Sequence, residues 1–212
     1  MRQNVSQLTI AVLGATGATG RHVVAHALQS GHCVVALVRR PGSFEPAARL
    51  REVVWADVTD GETVISAVRG ADVVISALGG AGKGPTTVCT DAIRMLVPAM
   101  SGAGVDRLIV VSAHGVLETH DRSLYSLAVW LGVGERMRDK ESMEPLIVAS
   151  DLKWTIVRPP LLTDTPATGD YKAGDQLKIK LWHAIGRADL ADFLVSEAED
   201  AAFIRRYPRI HR

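Results

Sequence analysis

Apolar runs alternate along the chain with segments of helical periodicity. Strands buried on both faces read as continuous apolar runs, and such runs occupy residues 8–14, 33–38, 52–56, 72–79, 107–113 and 153–159. Apolar residues at helical spacing predict helices at 20–31, 61–70, 86–103 and 187–200. Pro98 is expected to kink or break the third helix. The alternating run 176–181 predicts an exposed strand.

Strands that alternate with helices of this length predict βαβ units and a parallel sheet. We therefore expect an α/β protein with a Rossmann-type, doubly wound parallel sheet. No repeat or low-complexity linker divides the 212 residues, so the sequence predicts one domain over 1–212. Residues from about 159 to the C-terminus are expected to form a small lobe on the substrate side.

The first predicted strand and helix are joined by a glycine-rich turn, "VLGATGATGRHVV", over 12–24. In a nucleotide-binding turn, Gly14 would allow the sharp turn, Gly17 the close approach of a pyrophosphate, and Gly20 the packing of helix on strand. The helix N-terminus would attract the phosphates. The alternative is a plain turn without ligand, and the position between strand and helix favours the nucleotide. The remaining candidate contacts in the turn are Thr16, Ala18 and Thr19. The hydroxyls of Thr16 and Thr19 either donate to phosphates or belong to the start of the helix.

The end of the second strand distinguishes NAD from NADP. An NAD site carries an acid there, whereas an NADP site carries an arginine for the 2′-phosphate. This chain has "ALVRRPGS", with Arg39 and Arg40 and no acid. A guanidinium suits a phosphate dianion, so we predict NADPH/NADP⁺ as the cofactor. The alternative is two solvated arginines.

The next two strand ends supply further candidate contacts. Asp57, with Val58 beside it, is placed to accept from the adenine amino group. Its alternative is a turn or N-cap aspartate, and Asp60 is the better candidate for the cap. The fourth strand ends with Leu78, Gly79 and Gly80, which would let the backbone pass close to the ribose.

Candidate catalytic residues begin at the end of the fifth strand, in "VVSAHG". Ser112 is predicted to donate to a substrate carbonyl, or else to cap the strand end. His114 is predicted either to supply a proton near neutral pH or to be a packing residue. Tyr125 is a weaker candidate acid. Lys140 is a candidate too, but its spacing to Glu144 favours a pair on a helix surface.

The segment 123–137, "SLYSLAVWLGVGERM", is apolar for a region next to a loop. It is interpreted either as a lid over the acceptor or as an ordinary helix that faces the core.

Composition narrows the class of partner. The formal net charge of +1 gives no basic field for nucleic acid, and the tail 203–212 is expected to be a solvated end. No apolar run is long enough to cross a membrane, and no signal peptide leads the chain. The two cysteines, Cys33 and Cys89, form neither a metal-ligand pair nor a disulfide framework. These features predict a cytoplasmic protein with a small-molecule substrate and no metal, as a monomer or weak homodimer.

The motifs "GATGATG", "LVRRP", "ADVTD", "ALGG", "GVDRLIVVSAHG" and "RADLADFLV" follow one another in the order seen in a known family. The chain resembles the atypical short-chain dehydrogenases of the NmrA-like, NAD(P)-binding group, and within it the flavin-reductase branch. The resemblance implies hydride transfer from NADPH to a flat conjugated acceptor such as a flavin, a quinone or a linear tetrapyrrole. It also implies that the nicotinamide pocket is lined by Ser112 and by Pro159, Pro160, Leu161 and Leu162.

The chain departs from the family in two places. Ordinary short-chain dehydrogenases use Tyr-x-x-x-Lys, but here Arg136 precedes Lys140 by four residues. Leu161 stands where a related reductase carries a histidine. Two alternatives to a reductase therefore stay open. One is a non-catalytic NADP(H)-binding redox sensor, and the other is a biosynthetic ketoreductase or epimerase that uses His114 or Tyr125 as its acid.

Overall fold

The computed structural model describes residues 6–80, 84–121 and 123–212. Its central sheet has six parallel strands in the order β3-β2-β1-β4-β5-β6. These strands are β1 Thr9–Leu13, β2 Cys33–Val38, β3 Leu50–Val54, β4 Val73–Ser76, β5 Arg107–Val111 and β6 Lys153–Val157. This is the doubly wound order, in which strands are added outward from β1 in one direction and from β4 in the other. It confirms the predicted fold class.

Helices cover both faces of the sheet. They are α1 Ala18–Gln29, α2 Gly61–Val68, α3 Val88–Ala103, α4 Leu124–Val148 and α5 Arg187–Asp200. On one face, α2, α3 and α4 bury residues such as Val64, Ile93 and Met143 against the strands. On the other face, α1 and α5 bury Val23 and Leu190. The strands are thus apolar on both sides, which explains their continuous apolar runs.

Of the kink or break expected at Pro98, the break is not found, because helix α3 continues past this residue. Two other expectations about this framework were wrong. The third strand begins at Leu50, two residues earlier than predicted, because Leu50 pairs with Val34 of β2. The run 176–181 forms no strand, since Lys180 and His183 close a turn on each other.

The C-terminal lobe contains short strands. They are β7 Leu161–Thr163, β8 Lys172–Gly174, β9 Ala184–Gly186 and β10 Arg209–His211, and they pair as β7 with β9 and β8 with β10. The tail is therefore not the solvated end that we predicted. Ile210 is fully buried, and the backbone N–H of Arg158 donates to Pro208.

Helix α4 has two parts, because Val133 has non-helical dihedral angles (φ −140°, ψ 30°). In the first part Tyr125 is buried, whereas Leu124 and Leu131 are exposed. The segment 123–137 thus forms a helix that packs inward on one side and leaves an apolar side uncovered. Of the helices in the described ranges, none is both long and apolar enough to cross a bilayer.

Candidate functional site

The turn after β1 requires glycine at two positions for different reasons. Gly14 has a φ of +71°, and a Cβ there would lie 3.0 Å from the carbonyl of Ala77 at the end of β4. At Gly20, a Cβ would lie 2.1 Å from the Gly14 oxygen. Glycine alone satisfies both the left-handed backbone and the close packing of α1 on the turn.

The N-terminus of α1 is open to a ligand. Gly17 is the N-cap residue and contributes no side-chain cap, and no acidic residue stands in the first turn. The first N–H groups of a helix lack partners within the helix and favour an anion. Thr16 is half-buried beside this end, Ala18 is exposed and Thr19 is buried.

A cleft of 420 Å³ continues from the turn across the carboxyl ends of β2 and β4. Seven of the predicted cofactor residues line it, namely Gly14, Thr16, Gly17, Arg39, Val58, Leu78 and Gly79. The other lining residues were not predicted as cofactor contacts, and they are Leu37, Val38, Trp55, Ala77, Thr86 and Val88. Gly80 is not among the described residues that line the cleft. A Cβ at this position would come within 2.7 Å of Thr86.

A second cavity of 320 Å³ shares Thr16 and Arg39 with this cleft. Its other lining residues are Arg21, Arg40 and Ser43. Among the residues that the structure describes, three guanidinium groups and no carboxylate line this cavity. Arg21 was not predicted, although its place in the first turn of α1 is a usable signal. Its guanidinium donates to the Ser43 carbonyl at 3.3 Å and lies over the Phe44 ring.

Asp57 and Asp60, which follow β3, have two different structural roles: Asp57 stabilises a turn and Asp60 caps a helix. Asp57 accepts hydrogen bonds from the backbone N–H and the hydroxyl of Thr59, and these bonds lower the pKa of its carboxyl group. Asp60 caps α2 by accepting from the Thr63 N–H at 3.1 Å, as expected. Val58, rather than Asp57, lines the cleft. The adenine contact of Asp57 stays a prediction.

The cleft and the second cavity together fit a dinucleotide. Three features match parts of such a molecule. They are the glycine turn, which any side chain would fill, the uncapped end of α1, and the cluster of guanidinium groups.

Ser112, at the end of β5, belongs to a buried ionic network. Its hydroxyl donates to Glu144 Oε1 at 2.5 Å, and Glu144 in turn pairs with Arg158 Nη2 at 2.5 Å. Glu144 is 0% and Arg158 1% exposed. Arg158 also pairs with Glu118. The expected surface pair between Lys140 and Glu144 is therefore wrong, because α4 turns both side chains into the protein. Nothing in the sequence predicted Arg158.

Lys140 joins two strands of the sheet. Its Nζ donates to the carbonyl oxygens of Leu78 at 2.9 Å and Val111 at 2.6 Å, which places it beneath the ends of β4 and β5. The adjacent Asp139 accepts from the backbone N–H groups of Cys89 and Thr90, at the start of α3. Helix α4 thus holds two walls of the cofactor cleft in place.

His114 and Tyr125 are packed together, with ring centroids 5.2 Å apart. Burial, helped by the charge of Arg209, lowers the pKa of His114 to about 4, and burial raises the pKa of Tyr125 to about 12. The imidazole is neutral at neutral pH, which disfavours proton donation, and the role of His114 as a proton donor stays a prediction. Within the described residues, its Nδ1 is buried without a hydrogen-bond partner.

The predicted nicotinamide segment follows β6 directly. Pro159 and Pro160 are buried, Leu162 is half-buried and Leu161 is exposed. The backbone N–H of His114 donates to the Pro159 carbonyl at 2.9 Å. The ends of β5 and β6 therefore meet, and they bring the Ser112 and Pro159 segments to one edge of the sheet.

Known proteins resemble this chain over part or most of its length. The model of a family described as NAD(P)H-binding matches residues 14–201. The isoflavone reductase homolog IRL of Zea mays is 39% identical over 117 residues, which are 48% of this chain and only 38% of that protein. The uncharacterized sugar epimerase YhfK of Bacillus subtilis is 28% identical over 91% of this chain and 89% of its own.

Solved structures agree with this result. The anaerobilin reductase ChuY of Escherichia coli O157:H7 is 25% identical, with a TM-score of 0.81 over 95% of this chain and 96% of that one. A short-chain dehydrogenase/reductase of Veillonella parvula in complex with NADP shares the fold, with a TM-score of 0.82 at 18% identity over 97% of this chain and 94% of its own.

Proposed function

This chain belongs to the NAD(P)H-binding family, and we propose that it is an NADPH-dependent reductase that transfers a hydride to a flat conjugated acceptor. Relatives include a reductase and an epimerase by name. The choice between these reactions and the choice of cofactor both rest on the side chains around the cleft.

The arginine-lined cavity carries the preference for NADPH. Arg39 and Arg40 stand at the end of β2, where a ribose 2′-phosphate would lie, and Arg21 closes the same cavity. A carboxylate at this place would accept from a 2′-hydroxyl and repel a phosphate. The lining has guanidinium groups instead, which form charge-assisted hydrogen bonds with phosphate. The NADP bound to the Veillonella neighbour is consistent with this assignment.

The states of the candidate acids favour an acceptor that needs no strong protein acid. NADPH supplies the hydride when it is bound. The Ser112 hydroxyl is directed to Glu144. Burial moves the pKa of His114 to about 4 and that of Tyr125 to about 12, and both values lie far from the neutral range that favours general acid–base catalysis. A flavin or quinone can take a solvent proton after accepting the hydride, whereas a ketone needs an acid at the carbonyl oxygen.

The cofactor assignment is tested by replacing Arg39. We expect Arg39→Ala to lower kcat/KM for NADPH by about tenfold, since it removes a charge-assisted contact of about 1.4 kcal/mol. We expect kcat/KM for NADH to stay within about twofold. Arg51→Ala, at an exposed position on β3, is the matched control. Equal use of NADPH and NADH by the unmodified protein would contradict the assignment.

The reductase itself is tested by NADPH oxidation with FMN, a naphthoquinone and a panel of ketones, followed at 340 nm. We expect turnover with the first two and little with ketones. The same buried acids also suit a non-catalytic NADP(H) sensor. Tight NADPH binding without oxidation by any acceptor would favour the sensor.

A further inference from the structure

The loop that follows β2 carries two arginines of the second cavity, and a carboxylate from the next strand holds it. This loop, residues 39–44, reads "RRPGSF". Glu52 of β3 is half-buried, and it accepts from the backbone N–H of Gly42 through Oε2 and from that of Phe44 through Oε1, each at 2.7 Å. Both carboxylate oxygens therefore serve the loop. Glu52 itself is not among the described residues that line the second cavity.

The register of the sheet explains why Glu52 reaches this loop. Strand β3 runs parallel to β2 at the edge of the sheet, and Glu52 lies opposite Ala36. Strand β2 ends two residues later, and the loop then turns at Gly42, whose φ of +69° is left-handed. Backbone N–H groups that converge in a turn form a concavity for an anion. The Glu52 carboxylate fills this concavity with an anion from the chain itself.

Two further contacts fix the loop. The Ser43 hydroxyl donates to the Arg40 carbonyl at 2.7 Å. The Arg21 guanidinium donates to the Ser43 carbonyl and lies 5.2 Å from the centre of the Phe44 ring, which packs against the core beneath α1. Arg21 is therefore engaged with the loop, whereas the side chains of Arg39 and Arg40 are exposed at the cavity.

A carboxylate close to a phosphate site has two opposite effects. Its negative charge repels a phosphate dianion, which weakens binding. By holding the loop in one conformation, it also reduces the entropy lost when the arginines contact the phosphate, which strengthens binding. Replacing Glu52 by a neutral residue therefore tightens phosphate binding if repulsion dominates, and weakens it if the fixed loop dominates.

We propose that Glu52 is a positioning residue for the cofactor, which holds loop 39–44 so that Arg39 and Arg40 meet the 2′-phosphate of NADPH. The inference rests on the proposed function, because it takes the arginine-lined cavity as the site of that phosphate. It adds a requirement: the preference for the phosphorylated cofactor depends on a carboxylate of the neighbouring strand, whose effect on the loop exceeds its repulsion of the phosphate.

The pair NADP⁺ and NAD⁺ tests this requirement, because the two molecules differ only by the 2′-phosphate. Dissociation constants are measured on the full chain by calorimetry. The amide of Glu52→Gln places an NH₂ group where a carboxylate oxygen accepted, so one loop N–H loses its acceptor. We expect this variant to bind NADP⁺ about fivefold more weakly and NAD⁺ within about twofold of the unmodified protein. Glu52→Ala removes both acceptors, and we expect NADP⁺ affinity to fall about tenfold.

Glu45→Gln is the matched control, because it removes the same charge from an exposed position just after the loop. We expect it to leave both dissociation constants within about twofold. Tighter NADP⁺ binding by Glu52→Gln would show that repulsion dominates and would overturn the proposal. Equal weakening of NADP⁺ and NAD⁺ would also overturn it, since a general structural defect affects both molecules.

Two outcomes separate this inference from the proposed function. Equal affinity of the unmodified protein for NADP⁺ and NAD⁺ overturns the inference together with the NADPH assignment. A preference for NADP⁺ that depends on Glu52, in a protein that oxidises NADPH with none of the acceptors, supports the inference and contradicts only the reductase.

Discussion

The cofactor cleft and the region beyond the ends of β5 and β6 are held together by different forces. The cleft is formed largely by backbone, through a glycine turn confined to residues 14–20 and the open end of α1. Beyond β5, the contacts are between polar and charged side chains far apart in sequence: Ser112 and Glu144 are separated by 32 residues. Arg158 joins them from the end of β6.

This contrast predicts different responses to substitution in the two regions. A backbone cradle depends on few side chains, and it accepts any ligand that carries the right phosphates. A network of buried charges specifies one arrangement of the surrounding chain, because each charge needs its partner. We therefore expect substitutions in the two regions to fail in different ways.

The largest expected effect is on stability, in the charged region. Arg158→Met leaves Glu144 buried without its cationic partner, and breaking such a pair costs about 3–5 kcal/mol. Urea denaturation of the two proteins measures this loss of unfolding free energy. Lys153→Met removes an ion pair with Asp106 whose side chains are 56% and 57% exposed, so it should cost less than about 1 kcal/mol. Equal losses from the two variants would mean that the buried network does not hold this region.

A smaller effect is expected from Gly20→Ala in the backbone region. The new Cβ would lie 2.1 Å from the Gly14 oxygen, so the turn must shift away from α1. We expect NADP⁺ affinity to fall about 100-fold, or near 3 kcal/mol, as measured by calorimetry. Gly102→Ala on α3 is the control, because a Cβ there meets no atom within 4 Å. Unchanged affinity in Gly20→Ala would show that the turn does not contact the cofactor.

Lys140 connects the two regions, and its replacement should affect both mildly. Lys140→Met releases the carbonyls of Leu78 and Val111. We expect NADP⁺ affinity to drop about tenfold, since a wall of the cleft is no longer fixed. If Lys140 only positions the backbone, the pH dependence of kcat keeps its shape, and kcat changes less than KM. A lost or shifted limb of the pH profile would instead assign Lys140 a direct part in proton transfer.

The sequence predicted the backbone region well because its signals are local. The strand, the glycine turn, the helix and Arg39 lie within about 30 residues of one another, and their order is itself the evidence. The same reasoning failed for Lys140 and Glu144, since a spacing of four residues is equally compatible with a surface pair and with two inward side chains. Only the packing of α4 on the sheet decides between them.

The C-terminal lobe shows a second limit. Alternation over 176–181 predicted a strand, but a strand forms only where a partner is available, and the strand that pairs with β10 is Lys172–Gly174. The basic residues of the tail predicted a solvent-exposed end, yet Ile210 between them is fully buried. The burial of Arg158 was equally hard to predict from the sequence, because a charged residue at a strand end is usually exposed.

The smallest expected effect is a pH dependence of the unfolding free energy that is due to the buried His114 and not to exposed histidines. The folded protein holds the pKa of His114 at about 4, below its ordinary value of 6.5. Between these values the unfolded chain binds the proton and the folded protein does not, so stability is present above pH 6.5 and is lost as the pH falls toward 4. After allowance for solvent screening we expect a loss of about 1–2 kcal/mol.

Urea denaturation at pH 7.0 and 4.5 measures this pH dependence of the unfolding free energy. His114→Asn should reduce it, whereas His22→Asn, at an exposed position on α1, should leave it unchanged. Parallel slopes for His114→Asn and the unmodified protein would show that the imidazole is accessible to protons, and would restore it as a candidate acid beside Ser112.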